Sequence, residues 1–95
     1  MADKFFYLNI AIFKNSIKCF NRALKHSPNN LAAMNNMANS LKAIGKLEES
    51  KDLYENILKI NPNYINSYNN YSNLKTLVND YDGAIHLYKK AYSII

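Results

Sequence analysis

The sequence predicts an all-α fold, an α-solenoid of stacked helix-turn-helix repeats, and three observations carry that prediction. First, the chain repeats with a period of 34 residues. Pro28 and Asn29 return as Pro62 and Asn63, Asn35, Asn36 and Asn39 as Asn69, Asn70 and Asn73, Leu53-Tyr54 as Leu87-Tyr88, and Ser16 as Ser50. A fixed period of this length marks like units that bury apolar surface against one another rather than around one globular core. Second, each period holds two runs in which apolar residues fall three or four apart, the spacing of one helix face. Third, Gly and Pro number only two each among 95 residues, too few for the many turns of a sheet protein.

The elements follow in order. In the first unit, Phe13, Ile17, Phe20, Ala23 and Leu24 define a helix near Phe13–His26, closed by Ser27-Pro28-Asn29. Before it, Asp3 to about Ile10 is the remnant of a preceding helix. No glycine separates the two, so they form either a hairpin turning at Ala11-Ile12 or one continuous helix, and the hairpin is the expectation. In the second unit, Leu31, Met34, Met37, Ala38, Leu41 and Ile44 form one face of a helix near Leu31–Ile44, stopped by Gly45, which tolerates a left-handed backbone. Leu47, Leu53, Tyr54, Ile57, Leu58 and Ile60 define the next, near Leu47–Ile60. It ends at Asn61-Pro62, since proline lacks an amide hydrogen and disfavours helix in the residue before it. The third unit repeats the plan near Ile65–Val78 and Tyr81–Ile94, with Asn79-Asp80 at the turn and Asp80 or Asp82 capping the last helix. The chain thus divides as one domain over 1–95: a partial repeat at 1–30, a full repeat at 31–64, and a repeat at 65–95 that stops short of its closing proline. It reads as a fragment of a longer array.

A unit of this length, with small and aromatic residues at set places and a closing proline, resembles the tetratricopeptide repeat, and the resemblance covers essentially the whole chain. That family places a small residue in the middle of its first helix, here Ala38 and Ser72, and another early in its second, here Ser16, Ser50 and Ala84. An aromatic further along fills the gap to the next unit, here Phe20, Tyr54 and Tyr88. The departures are Ile57 where alanine is usual, Lys75 where an apolar residue is usual, Asn79 in place of the turn glycine, and Gly83 in the first turn of its helix, expected to cost about 1 kcal/mol relative to alanine.

The resemblance implies that the first helix of each unit lines a concave inner surface. The inner positions would be Ala32, Asn35, Asn36, Asn39, Lys42 and Ala43, then Asn66, Asn69, Asn70, Asn73, Thr76 and Leu77. Carboxamides dominate this set. Each offers donors and an acceptor, matching the backbone of an extended peptide whatever its side chains. Asparagine is a mediocre helix former, so its recurrence here asks for a reason, though compositional bias is the competing one. The candidate peptide-binding residues are therefore Asn35, Asn36, Asn39, Lys42, Asn66, Asn69, Asn70 and Asn73.

The predicted function is a non-catalytic module that binds an extended peptide or partner protein in an asparagine-rich groove. The repeat region of O-GlcNAc transferase is similar, with recurrent inner-surface asparagines in the slot of Asn36 and Asn70, so the substrate-binding arm of such a glycosyltransferase is an alternative. Another version of the fold grips acidic chaperone tails with lysines, asparagines and an arginine. Asn39 and Asn70 match two of those places, but Asn35 stands where a lysine is expected, so the full clamp is absent. The net charge of +5 and eight tyrosines raise a second alternative, a helical repeat binding RNA or single-stranded nucleic acid. It is disfavoured because the tyrosines fall at packing positions and Lys14, Lys18, Lys25, Lys51 and Lys59 lie mainly on the second helices.

Other chemistries lack their residues. Cys19, His26 and His86 have no metal-ligand spacing, and no phosphate-cradling loop or nucleophile–base motif appears, so no cofactor and no enzyme activity are expected. The single cysteine fits a reducing compartment, cytoplasmic or nuclear. The apolar stretch Phe5 to Phe13 is too short to span a bilayer. Leu87, Tyr88 and Ile94 at one end, and Phe5, Phe6, Leu8 and Ile10 at the other, are expected to stay uncovered and to make the chain a homo-oligomer through its open ends.

Overall fold

The computed structural model describes residues 4–95, so Asp3 lies outside the described residues, as do the side chains of Phe5 and Phe6. They form five helices: α1 (Lys4–His26), α2 (Leu31–Ala43), α3 (Leu47–Ile60), α4 (Ile65–Leu77) and α5 (Tyr81–Ile94). The predicted helices coincide with these from α2 onward, except that α2 and α4 each end one residue sooner than expected. The one large difference is at the start, where α1 runs unbroken for 23 residues and the expected turn at Ala11-Ile12 does not form.

The period explains why. Each later turn between paired helices passes through one residue in the left-handed region, Gly45 at φ 87° and Asn79 at φ 62°. The residue one period before Gly45 is Ala11. A Cβ makes that conformation costly, and asparagine is the non-glycine residue that tolerates it best. With alanine, the best helix former, at the place of the turn, the helix continues.

Helices α2 and α3 pair within one unit and α4 and α5 within the next, while α1 packs on α2 and α3 on α4. The backbones of α2 and α4 also approach closely, whereas among the described residues those of α1 and α3, and of α3 and α5, stay farther apart. First helices of successive units are therefore drawn together and second helices splayed, which curves the stack with α2 and α4 on the inside. The molecule measures 42 × 35 × 20 Å. Its short dimension is about two helix diameters, as two layers require.

The small residues stand where close approach demands them. Ala38, Ser50, Ser72 and Ala84 are all buried. Ser50 Oγ crosses the pair to donate to the Ala38 carbonyl at 2.7 Å. The ring of Tyr54, fully buried, stacks on Tyr71 of the next unit with centroids 5.7 Å apart and planes 20° apart. Around these gather Tyr68, Leu74, Leu87 and Ala91. Tyr71 donates to Glu55 Oε1 at 2.7 Å, and Tyr68 to the Pro62 carbonyl at 2.7 Å, so the phenols of the seam are satisfied as well as packed.

The departures from the repeat pattern are accommodated. Ile57 is fully buried. Lys75 lays its ammonium 5.3 Å from the centre of the Tyr71 ring and pairs with Asp80 at 3.4 Å. Asp80 caps α5, accepting from the Gly83 amide at 3.0 Å. Gly83 lets the cap sit close, because a Cβ there would lie 2.6 Å from Asp80 Oδ2 and the carboxylate would have to shift. At the end of the stack, Leu87 and Ile94 turn inward onto the core rather than outward as expected. They share a helix face with Ala84 and Ala91, which meet α4, and the uncovered stripe is the next one round: Ile85, Tyr88, Tyr92 and Ile95.

Candidate functional site

The inside of the curve is formed by α2 and α4, and the period sets their asparagines in matching places. The structure gives those carboxamides different local partners. Asn39 and Asn73 behave alike. Tyr54 Oη donates to Asn39 Oδ1, and one period later Tyr88 Oη donates to Asn73 Oδ1 at 2.9 Å. In each unit a tyrosine on the second helix thus fixes an asparagine on the first. Burial raises the pKa of Tyr54, more than its hydrogen bond with Ser50 lowers it, so the phenol stays protonated and remains a donor. With Oδ1 engaged, each of these carboxamides presents chiefly its Nδ2 donor to an incoming group.

Asn35 is placed differently. It is 6% exposed, and its Oδ1 accepts from Ser67 Oγ at 3.0 Å and from Asn70 Nδ2 at 3.3 Å. It holds α2 to α4 across the unit boundary, and in doing so it orients Asn70, whose Oδ1 is left to act as an acceptor. Asn36, Asn66 and Asn69 are exposed. Lys42, half-buried near the end of α2, has its pKa lowered by burial. The structure therefore brings Asn35 and Asn70 into contact and leaves Asn36, Asn66 and Asn69 open. Sequence reasoning missed Ser67, which completes the boundary, and the part played by the Tyr54 and Tyr88 hydroxyls. The latter had a signal, since a tyrosine fifteen residues after an asparagine recurs at the period.

An open hollow of about 480 Å³ on α1 is lined by Asn15, Lys18, Cys19, Asn21, Arg22 and Lys25 and shares no residue with the groove. Among the described residues no cluster of three His, Cys, Asp or Glu could hold a metal ion. None of the described helices is long and apolar enough to cross a membrane.

Paired helices in a curved two-layer stack, with a polar inner face, define a helical-repeat scaffold. The model of the tetratricopeptide repeat family matches residues 30–95, and the chain belongs to that family. No curated protein sequence matches it. Among solved structures, it is similar to the second tetratricopeptide domain of Spaghetti (RPAP3) bound to the HSP90 peptide SRMEEVD, at 16% identity and TM-score 0.78, covering 87% of this chain and 77% of that one. The first such domain of the same protein, bound to the same peptide, gives 15% identity and TM-score 0.81 over 93% and 70% of the two chains. MamA gives 16% identity and TM-score 0.75 over 86% of this chain, which spans about half (48%) of that structure. At these identities the likeness is one of fold.

Proposed function

We propose that the chain is a non-catalytic interaction module that holds an extended peptide or partner protein in the groove of α2 and α4. Asn36, Asn39, Asn66, Asn69, Asn70 and Asn73 would meet the peptide backbone, Asn35 would keep Asn70 in place, and Lys42 would favour an acidic group. The observation that carries the reading is the repeated Tyr54–Asn39 and Tyr88–Asn73 hydrogen bond. It aims two like donors along one groove at the interval of the repeat, as a ligand running across units requires. The similar Spaghetti domains, each with an HSP90 peptide bound, lend the fold-level precedent. The single cysteine suits a reducing compartment, cytoplasm or nucleus. Self-association through the open ends belongs to the same proposal, supported by exposed Leu8 and Ile12 on α1 and by Ile85, Tyr88, Tyr92 and Ile95 on α5.

The test begins with a peptide array to find a ligand, followed by titration of that ligand against Asn39→Ala/Asn73→Ala. Two neutral hydrogen bonds at about 0.5–1.5 kcal/mol each predict a loss of roughly five- to a hundredfold. Undiminished affinity in a variant that keeps its helical spectrum would show that the asparagines reflect composition alone.

A further inference from the structure

Ser16 and Ser50 occupy the same place in the period, yet their hydroxyls do different things. Ser50 donates across a helix pair to the Ala38 carbonyl at 2.7 Å. Ser16 donates to the Ile12 carbonyl of its own helix at 3.0 Å. Tyr54 and Tyr88 each reach an asparagine on a paired first helix, but their counterpart is Phe20, and among the described residues α1 packs against α2 alone. The second half of α1 is thus made as the second helix of a pair whose first member is missing from its side. The period assigns that place to residues 4–10, which Ala11 carries away along the axis of α1 because it cannot cheaply make the turn that Gly45 and Asn79 make. Leu8 and Ile12 are consequently 55% and 51% exposed.

A helical hairpin that fails to close within one chain can close between two. We propose that two copies of the chain pair through α1 as an exchanged dimer, residues 4–10 of each lying on the second half of α1 in the other. The inference builds on the self-association reading above and specifies its surface. The observed α2–α3 pair sets the register. It brings Ala38 to Ser50 and Asn39 to Tyr54. One period earlier these correspond to residues 4 and 5 set against Ser16 and Phe20, which places the two-fold axis at Ala11-Ile12. The interface is isologous, as closed dimers require. Charge favours the antiparallel arrangement. Lys14, Lys18, Arg22 and Lys25 all lie on the second half of α1, while residues 4–10 carry a single charge, Lys4 at the start of the segment, so exchange sets four cations against a segment with one. Parallel pairing would set the four cations of each copy side by side.

The experiment uses the full chain with Cys19→Ser, so that one introduced cysteine reports each surface. Ile12→Cys should form a disulfide-linked dimer under mild oxidation, and Tyr92→Cys on the open face of α5 should not. In the parent chain, Ala11→Gly restores a turn residue, allows the hairpin to close on itself, and should weaken dimerisation by roughly tenfold in light scattering over a concentration series. A parent chain that is monomeric at high micromolar concentration overturns both the exchange and the self-association reading. A dimer that links through Tyr92→Cys and not through Ile12→Cys overturns the exchange and leaves self-association standing. Loss of helix in Ala11→Gly does not blunt the test, since the two cysteine variants leave residue 11 unchanged.

Discussion

Tyr54 and Tyr88 are one residue seen twice, and the difference in their surroundings makes a quantitative test of the stack. Each donates to an asparagine fifteen residues earlier. Tyr54 is fully buried because Tyr71 of the following unit stacks on it, whereas Tyr88 has no described unit beyond it and is 44% exposed. Replacing Tyr54 by alanine removes a wholly enclosed aromatic ring and leaves a cavity lined by both units, at a cost of about 3–5 kcal/mol. Replacing Tyr88 opens a surface that water fills, so there is no cavity contribution. Roughly half of the ~1.5–3 kcal/mol gained by burying a large side chain is lost, about 1–1.5 kcal/mol. Each also loses a hydrogen bond to an asparagine, part-buried for Tyr54 and exposed for Tyr88, so that loss does not narrow the gap. The expected gap is about 1.5–4 kcal/mol, and each 1 kcal/mol moves the midpoint of a domain this size by about 4–8 °C. Urea and thermal unfolding followed by circular dichroism would measure it. Equal costs would refute the argument, since they would mean that Tyr54 gains nothing from the unit packed beyond it or that Tyr88 is covered in solution. Light scattering on the same samples separates those two cases.

Two further predictions concern polar groups at the seams. Asn35→Ala should destabilise the chain by about 1–3 kcal/mol, because it leaves the fully buried Ser67 hydroxyl without its acceptor; Asn36→Ala, one residue on and exposed, should change the urea midpoint little. Asp80 has its pKa lowered below 3.8, first by the Gly83 amide and then by Lys75. A depressed folded value means that its stabilising effect is present above the unfolded pKa and is lost as pH falls through the folded one. Thermal melts of the parent and Asp80→Asn should therefore differ at neutral pH and converge in the acid range below the ordinary carboxylate value; a constant difference would remove the charge from the account.

The legible parts of the fold were those that one-dimensional spacing determines. The stripes of Leu31 to Leu41 and Leu47 to Ile60 fixed two helices, and Asn79-Asp80 marked a turn without glycine. The unbroken α1 was legible in principle: Gly45 stands at the turn, and its counterpart one period earlier is Ala11. The inward set of Leu87 and Ile94 was harder to read. Ile85, Tyr88 and Tyr92 form an equally apolar stripe on the same helix, and only packing against α4 decides which is buried. The burial of Asn35 was not legible. Asn35 and Asn36 are adjacent and both recur, and the choice between seam and groove depends on Ser67, a residue 32 positions away in sequence.

Under the proposed function the asparagines would serve two ends, and their hydrogen bonds give a reason why carboxamides suit both. A free asparagine side chain can turn over and exchange its donor for its acceptor, so it discriminates poorly between the N–H and C=O of a peptide. Here the intrachain bonds remove that freedom. The Tyr54 and Tyr88 hydroxyls occupy the oxygens of Asn39 and Asn73, and Asn35 occupies the nitrogen of Asn70. Along the inner face the result is a donor in each unit and, close to the boundary, an acceptor. An extended backbone alternates the complementary groups, and a ligand in the wrong direction or register would set like against like. Leaving a donor or acceptor unpaired costs more than a satisfied bond contributes. Such a face would therefore select the direction of a peptide as well as hold it. The same bonds tie α2 to α3, α4 to α5 and α2 to α4, so the rigidity of the groove and its polarity come from one set of contacts. A sequence that spends helix propensity on asparagine at these recurring places obtains both from a single side-chain type.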